Sequence, residues 1–448
     1  MDRGDLANAL AEAQTHYHAR HPNSARRHAG ATVHLPGGNT RTVLHFNPFP
    51  LTFARGCGNR LTDIDGLGYL DLLGEYSAGL YGHSNPIIHA AMQHALDDGL
   101  VLGGPNVYEA QLAAAICARF ASIDLVRFTN SGTEANLMAL SVARAVAPKR
   151  ARVMVFDGAY HGGVFYFRPG GAFLNAPFDW LLSQYNDILG TRALLRDQGE
   201  SIAAVIVEPM LGGGCIAGSA EFLRMLREEC TANGIILIFD EVMTSRLSPA
   251  GRQGLLGIKP DLTTLGKYLG GGASFGAFGG RRDIMQRLDP AQPHALSHAG
   301  TFNNNVLSMA GGLAGLTKVF SPEEAARINT LGDRLRTQLN ELGVARRVPF
   351  QATGAGSLVG LHFASGMIQK GADIEPSGVL EKQRKAAIES LFHLEMIDCG
   401  YYFGRRGYIS LSLPTTEADC DTFVAAVDQF LAVRGSLIPI DQPESASR

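Results

Sequence analysis

Asp261-Leu-Thr-Thr-Leu-Gly-Lys267-Tyr-Leu-Gly-Gly-Gly272 is the stretch on which the reading of this chain turns. Residues 262–266 are apolar and β-branched, which predicts a buried strand, and Lys267 stands at its end with a glycine cluster behind it. Glycines there let other groups approach the backbone closely. Most lysines are solvated surface charges, so this one needs a partner before it means anything. One lies 27 residues upstream: Gly234-Ile-Ile-Leu-Ile-Phe-Asp240 is a continuous apolar run that ends in a carboxylate. That is the pattern of a strand covered on both faces, delivering Asp240 at its C-terminal tip.

The same alternation continues on either side. Strands are predicted at 125–128, 152–157 and 203–208, and helices at 108–120, 133–146 and 219–233. Strand and helix in turn predict an α/β fold with a mainly parallel central sheet and crossover helices. In such sheets ligands bind off the C-terminal strand ends, where Asp240 and Lys267 fall. Residues 51–73 alternate like a β-meander with its turn at Asp63-Ile-Asp65-Gly66. Residues 4–20 read as an exposed helix, Arg20 to Arg41 as a basic irregular stretch, and Ser321-Pro322-Glu323-Glu324 as a helix start. The expected organisation is a large domain over 101–320, and a smaller α+β lobe built from both chain ends, 1–100 and 321–448. The polar residues 441–448 are expected to fray.

With 448 residues the chain can bury a large core. A hydrophobic fraction of 46% and a net charge of −3 fit a soluble protein and give no footing for nucleic acid or an anionic membrane. The six cysteines, at 57, 117, 215, 230, 399 and 420, show no metal-ligand spacing and no disulfide framework. Free thiols, no apolar run long enough to span a membrane and no secretory core at the N-terminus point to the cytoplasm, with no metal. The 53 glycines cluster at 212–214, 270–272 and 279–280, all read as loops against a ligand.

Asn130-Ser131-Gly132-Thr133-Glu134 lies between a strand and a helix. Free N–H groups, the positive end of the helix dipole and two hydroxyls there make either an anion cradle or an ordinary N-cap. Tyr160-His161-Gly162 follows the strand 152–157; the tyrosine either stacks on a planar heterocycle or packs in its loop. Glu208 ends another strand, where it could accept from a ring hydroxyl, bind a substrate ammonium or cap a helix. Gly300-Thr301-Phe302 is a polar turn, and Thr301 a second phosphate ligand or a cap. A strand-end lysine and aspartate are what pyridoxal phosphate requires. The amine forms the Schiff base and then moves the proton, and the carboxylate holds the pyridine nitrogen protonated, so that the ring becomes an electron sink.

Together these residues resemble the class III aminotransferases, pyridoxal phosphate enzymes of fold type I, across about residues 36 to 430. The motifs that carry the likeness are Ser131-Gly132-Thr133, Tyr160-His161-Gly162, Glu208-Pro209, Asp240-Glu241-Val242, Lys267 and Gly300-Thr301-Phe302. The resemblance implies that Ser131, Gly132 and Thr133 hold the phosphate and that Tyr160 covers the ring. It implies that Asp240 pairs with the ring nitrogen while Val242 packs beneath it. It also implies that Thr301 reaches the phosphate of a second subunit, hence a homodimer with shared sites. Gly37-Gly38-Asn39-Thr40-Arg41 and the Tyr160 loop are shared with glutamate-1-semialdehyde aminomutases. Asp240 to Arg246, Lys267 to Gly272, Gly300 to Asn305, Glu75-Tyr76-Ser-Ala-Gly79 and Arg406-Gly407 look closer to the β-phenylalanine aminotransferases. That subfamily implies an amino donor of the β-amino acid type, an acceptor such as 2-oxoglutarate or pyruvate, and a site containing Tyr76. Arg41 would bind the β-amino acid carboxylate, and Arg406, or its neighbour Arg405, the keto acid. An arginine fork suits a carboxylate. The alternatives are a 2,1-aminomutase and an ω-amine transaminase. Two segments depart from the family pattern and are expected to line the substrate pocket: the short loop Glu208 to Cys215, and the bulky run Val164-Phe-Tyr-Phe-Arg168.

Overall fold

The computed structural model describes residues 3–168, 172–376 and 378–438; the polar tail 441–448 lies outside them. Seven strands form the central sheet, in the order Leu125–Thr129, Gly276–Gly280, Leu262–Gly266, Ile236–Asp240, Ile202–Val207, Arg152–Phe156, Asp179–Ser183. Only Gly276–Gly280 runs against its neighbours; the other pairings are parallel. Its side chains alternate between two cores. Val153, Val155, Ala204, Ile206 and Ile238 pack under the helix Gly132–Val146, with Ala135, Ala139 and Val142. Met154, Phe156, Val205, Leu237 and Phe239 pack on the opposite face against Phe222, Leu223 and Leu226 of the helix Ala220–Asn233. Burying each large apolar side chain contributes about 1.5–3 kcal/mol, so this double-sided sheet is a stiff support for whatever its strand ends carry.

Two elements differ from the reading above. Gly279 and Gly280 are not in a loop but in the strand Gly276–Gly280. A Cβ on Gly276 would lie 2.1 Å from the Ser131 carbonyl oxygen, and one on Gly280 equally close to that of Asp261. The glycines are there because neighbouring backbone crowds the strand. The stretch from Arg20 to Arg41 is also not wholly irregular: Pro22–Ala31 is a helix. Its start is held by a distant residue, since Asp65 accepts from the N–H groups of Asn23 and Ser24 at 2.7 and 3.0 Å. The N-terminal helix Arg3–Arg20 is not simply exposed, because Leu6, Ala9 and Tyr17 are buried.

Both ends of the chain meet in one small sheet. Phe53–Cys57, Arg60–Asp63 and Gly68–Asp71 form the expected meander, and Tyr401–Tyr402 pairs in parallel with Gly68–Asp71. A second sheet, Gln351–Ala355, Leu358–His362 and Tyr408–Ser410, is antiparallel. The long helix Pro322–Arg346 begins where the sequence indicates, its N-cap Ser321 accepting from the Glu324 N–H. These layers bring the segment 74–77 and the turn 404–407 over the C-terminal edge of the central sheet.

Candidate active site

Lys267 directly follows the strand Leu262–Gly266 and is itself left-handed, with φ of +55°. Its Nζ donates to the Tyr76 carbonyl oxygen at 2.5 Å and to Ser77 Oγ at 2.9 Å. Burial pushes the amine down to about 8, with Arg246 adding to the effect and Asp240 and Glu208 opposing it. A lysine near that value keeps a useful neutral fraction around neutral pH.

Asp240, 4% exposed, ends its strand beneath the same cleft. Its Oδ2 accepts from Asn136 Nδ2 at 2.8 Å and meets His161 Nδ1 at 2.8 Å, while Oδ1 accepts from the Val242 N–H at 3.0 Å. Asn136 also donates to the His161 carbonyl at 2.9 Å, and its Oδ1 accepts from Thr264 Oγ1 at 2.6 Å. Asp240 is thus clamped by three elements at once. His161 is buried behind it, its ring on that carboxylate. Glu208 is also buried. It accepts from the N–H groups of Tyr160 at 2.9 Å and Gly212 at 2.8 Å, and burial raises its carboxyl to about 7.

The helix start at Ser131 fits an anion. First-turn N–H groups such as those of Gly132 and Thr133 have no acceptor within the helix. Ser131 Oγ accepts from the Glu134 N–H at 3.2 Å and Thr133 Oγ1 from the Gly163 N–H at 3.3 Å, so both hydroxyl protons are left to donate. Gly132 must be glycine, since a Cβ would lie 2.8 Å from Val242 Cγ2. The packing brings Val242, the helix start and the strand end Gly266 together. Tyr160 stands beside them, half exposed, with Tyr166 at its edge 5.5 Å away.

The rim is of another kind. Arg41 lies 5.5 Å over the Tyr76 ring and is paired with Glu75, both side chains remaining exposed. The Tyr76 ring packs 5.3 Å from Tyr408, and burial raises its hydroxyl against the opposing pull of Arg406, Arg41 and Arg405. Arg406 is exposed in the turn before Tyr408, and its neighbour Arg405 is half-buried. Thr301 is exposed on its turn, which is anchored to Asn130 through Asn303 at 3.0 Å.

The run 164–168 divides between two sides. Phe165 is fully buried and packs on Phe178 and Trp180, as Phe167 packs on Trp180. Arg168 lies against Gly213, where a Cβ would collide with its guanidinium. Val164 is exposed and Tyr166 packs edge-on against Tyr160, so only the two phenylalanines go to the core. Sequence reasoning missed Asn136, Thr264, Glu75, Ser77 and Arg246. Arg246 is wholly buried, donates to Ser357 Oγ at 3.1 Å, Ser410 Oγ at 2.7 Å and the Leu411 carbonyl, and has no carboxylate partner among the described residues.

An amine and a clamped carboxylate thus stand at adjacent strand ends beside a helix start with free N–H groups, an arrangement that fits a cofactor carrying an aldehyde and an anionic group. The class-III aminotransferase profile matches residues 44–167 and 182–391, and the chain belongs to that family. It is 46% identical to the β-phenylalanine transaminase of Variovorax paradoxus over 440 residues, 98% of this chain and 99% of that protein. A crystal structure of the β-phenylalanine aminotransferase from that organism superposes with a TM-score of 0.94, covering 98% of this chain and all of that one. An ω-transaminase from Sphaerobacter thermophilus is 34% identical, with a TM-score of 0.84 over 91% of this chain and 97% of its own. A transaminase solved with PLP bound is 30% identical, with a TM-score of 0.82, covering 93% and 98% of the two chains. The fold is that of the fold-type I transferases.

Proposed function

We propose that this aminotransferase takes the amino group of a β-amino acid, aromatic in the manner of β-phenylalanine, and passes it to 2-oxoglutarate or pyruvate. The observation that carries the reading is the position of Arg41. It lies over the ring of Tyr76, the residue whose carbonyl holds the Lys267 amine. A carboxylate drawn to Arg41 is delivered beside that amine. The likeness to the Variovorax enzyme supports the same donor.

The cofactor is pyridoxal 5′-phosphate, and the donor set fits it: free N–H groups and hydroxyl protons for a phosphate, an amine, and a fixed carboxylate for a ring nitrogen. When bound, it supplies a carbonyl that condenses with amines and a ring that accepts the electron pair left by proton removal. Ser131, Gly132 and Thr133 would hold the phosphate, and Tyr160 and Val242 would pack against the ring. Asp240, oriented by His161 and Asn136, would pair with the ring nitrogen, and Glu208 would accept from a ring hydroxyl or bind the substrate ammonium. Lys267 would anchor the cofactor and move the substrate proton. Arg406 would receive the keto acid carboxylate, favoured over Arg405 because it is the more exposed of the two.

The same reading makes the protein a homodimer. Val101, Leu102, Val107 and Phe302 are exposed apolar residues. Asn106 donates to the Asn304 carbonyl at 2.8 Å, which ties the segment of Val107 to the turn of Phe302 and Thr301 as a patch for a partner to cover. Covering that patch with a second copy brings each Thr301 to the partner's phosphate. The two lobes are residues 101–320 and the combined chain ends, 1–100 and 321–448. No described helix is long and apolar enough to cross a membrane, and we assign the enzyme to the cytoplasm.

The test is to mix holoenzyme with β-phenylalanine alone and follow the cofactor absorbance. Conversion to the amine form, reversed by 2-oxoglutarate or pyruvate, is expected. No conversion, with turnover of a semialdehyde that needs no added keto acid, would identify an aminomutase. Turnover of simple amines unaffected by Arg41→Ala would identify an ω-amine transaminase.

A further inference from the structure

Four consecutive residues, Gly74, Glu75, Tyr76 and Ser77, are left-handed, with φ of +51°, +47°, +52° and +74°. For non-glycine residues that conformation costs about 1–2 kcal/mol each and persists only where the surroundings impose it. They do so here. Asp71 Oδ1 accepts from the N–H groups of Leu73 and Gly74 at 2.9 and 3.0 Å. The Ser410 carbonyl leaves no room for a Cβ on Gly74, at 2.6 Å. The strained turn aims two groups at one atom: the Tyr76 carbonyl and the Ser77 hydroxyl both reach Lys267 Nζ. Ser77 is fully buried, so no bulk water competes for its hydroxyl. Among the described residues Lys267 forms no ion pair, although Asp240, Glu208, Arg246 and Cys215 all act on it at longer range.

We propose that Ser77 is a positioning residue, and that the Gly74–Ser77 turn is a dock that holds the Lys267 amine whenever that amine is not bonded to the cofactor. In the dock the two N–H groups of the neutral amine donate to the Tyr76 carbonyl and to Ser77 Oγ, which leaves the nitrogen lone pair free to attack. Both N–H groups are then met in a buried place, where an unmet polar group is costly. An aminotransferase frees this amine in every half-reaction and must take it back. The dock keeps the long, flexible lysine side chain at one position between those events, which shortens the search for the carbonyl carbon. The proposal rests on Lys267 being the amine that binds the cofactor.

The experiment uses the full chain stripped of cofactor and follows covalent capture of added pyridoxal phosphate by absorbance. The linkage is verified by borohydride reduction and intact mass. In capture the amine nitrogen bonds to the aldehyde carbon, and the aldehyde oxygen leaves as water. Ser77→Ala is expected to lower the limiting capture rate about tenfold, the scale of one buried hydrogen bond, without changing the half-saturating concentration. Ser77→Gly, which relieves the backbone but also lacks the hydroxyl, should fall equally. In a Lys267→Ala background, non-covalent affinity for pyridoxal phosphate should be the same with and without Ser77→Ala. Wild-type limiting rates in Ser77→Ala, or a wild-type rate in Ser77→Gly alone, would overturn the dock. So would a tenfold loss of non-covalent affinity from Ser77→Ala in the lysine-free background, since the serine would then be merely structural. Covalent capture surviving in Lys267→Ala would instead remove the assignment of Lys267 itself.

Discussion

The floor and the rim of this cleft are built on opposite terms. The floor is a set of buried polar groups at the ends of a double-sided sheet. Asp240 is held by Asn136, His161 and the Val242 N–H, and Asn136 in turn by Thr264. Every member is fixed by another, so the carboxylate has one position. The rim is two exposed charges, Glu75 on a strained turn and Arg41 from a separate segment, paired over Tyr76. Exposed ion pairs contribute little, so this pair opens readily when another carboxylate arrives. Chemistry common to a family needs the first kind of construction, whereas the choice of substrate is better served by the second, whose contacts can be exchanged.

That division makes graded predictions. Lys267→Ala should remove turnover by at least about 10⁴-fold, the scale of losing a nucleophile that is also the base. In the wild-type chain, an amine held near 8 is mostly protonated below that pH. Cofactor capture should therefore accelerate as pH rises through about 8 and level off above it; a rate flat from pH 6 to 10 would contradict the buried amine. Asp240→Asn keeps the shape of the floor and removes its charge, and kcat should fall by roughly 10²–10³-fold for every substrate alike. A loss confined to one substrate would erase the distinction between floor and rim. Arg41→Ala should raise KM for the β-amino acid by about 10- to 100-fold, the worth of a charged hydrogen-bonded pair, and leave simple amines nearly unchanged. Glu75→Gln frees Arg41 and should tighten binding of an unreactive carboxylate such as 3-phenylpropanoate by roughly two- to fivefold, measured by calorimetry. Weaker binding in that variant would make Glu75 part of the substrate site rather than a competitor for it.

The parts of the site that sequence reveals are those written locally. Lys267 and Asp240 are legible because strand patterns end at them, and Ser131 to Thr133 because an N-cap is a short-range signal. What stayed hidden is written at long range. The helix Pro22–Ala31 depends on Asp65, across 41 residues or more, to satisfy its first N–H groups. Gly279 and Gly280 read as a loop because the glycines of the strand Gly276–Gly280 answer to the carbonyls of Ser131 and Asp261, which the local pattern does not show. Asn136 looks like any polar residue on a helix until the fold turns it towards Asp240. Ser77 falls inside the stretch Glu75 to Gly79, but its role stays hidden there, since its conformation is imposed by Asp71 and Ser410. The same holds for Phe165 and Phe167, which pack on Phe178 and Trp180 from a later segment.

The parallel pairing of Tyr401–Tyr402 with Gly68–Asp71 sets an order of assembly. Residues 74–77 follow that strand and are wedged against Ser410, so the rim cannot close until the ribosome has released nearly the whole chain. The central sheet, complete once residue 280 has emerged, can form well before that. For that interval Lys267 would stand over a finished floor with nothing above it. A ribosome-stalled chain ending near residue 390 should therefore show its Lys267 amine more open to acylating reagents than the finished enzyme does, and equal reactivity would place closure of the rim earlier in synthesis.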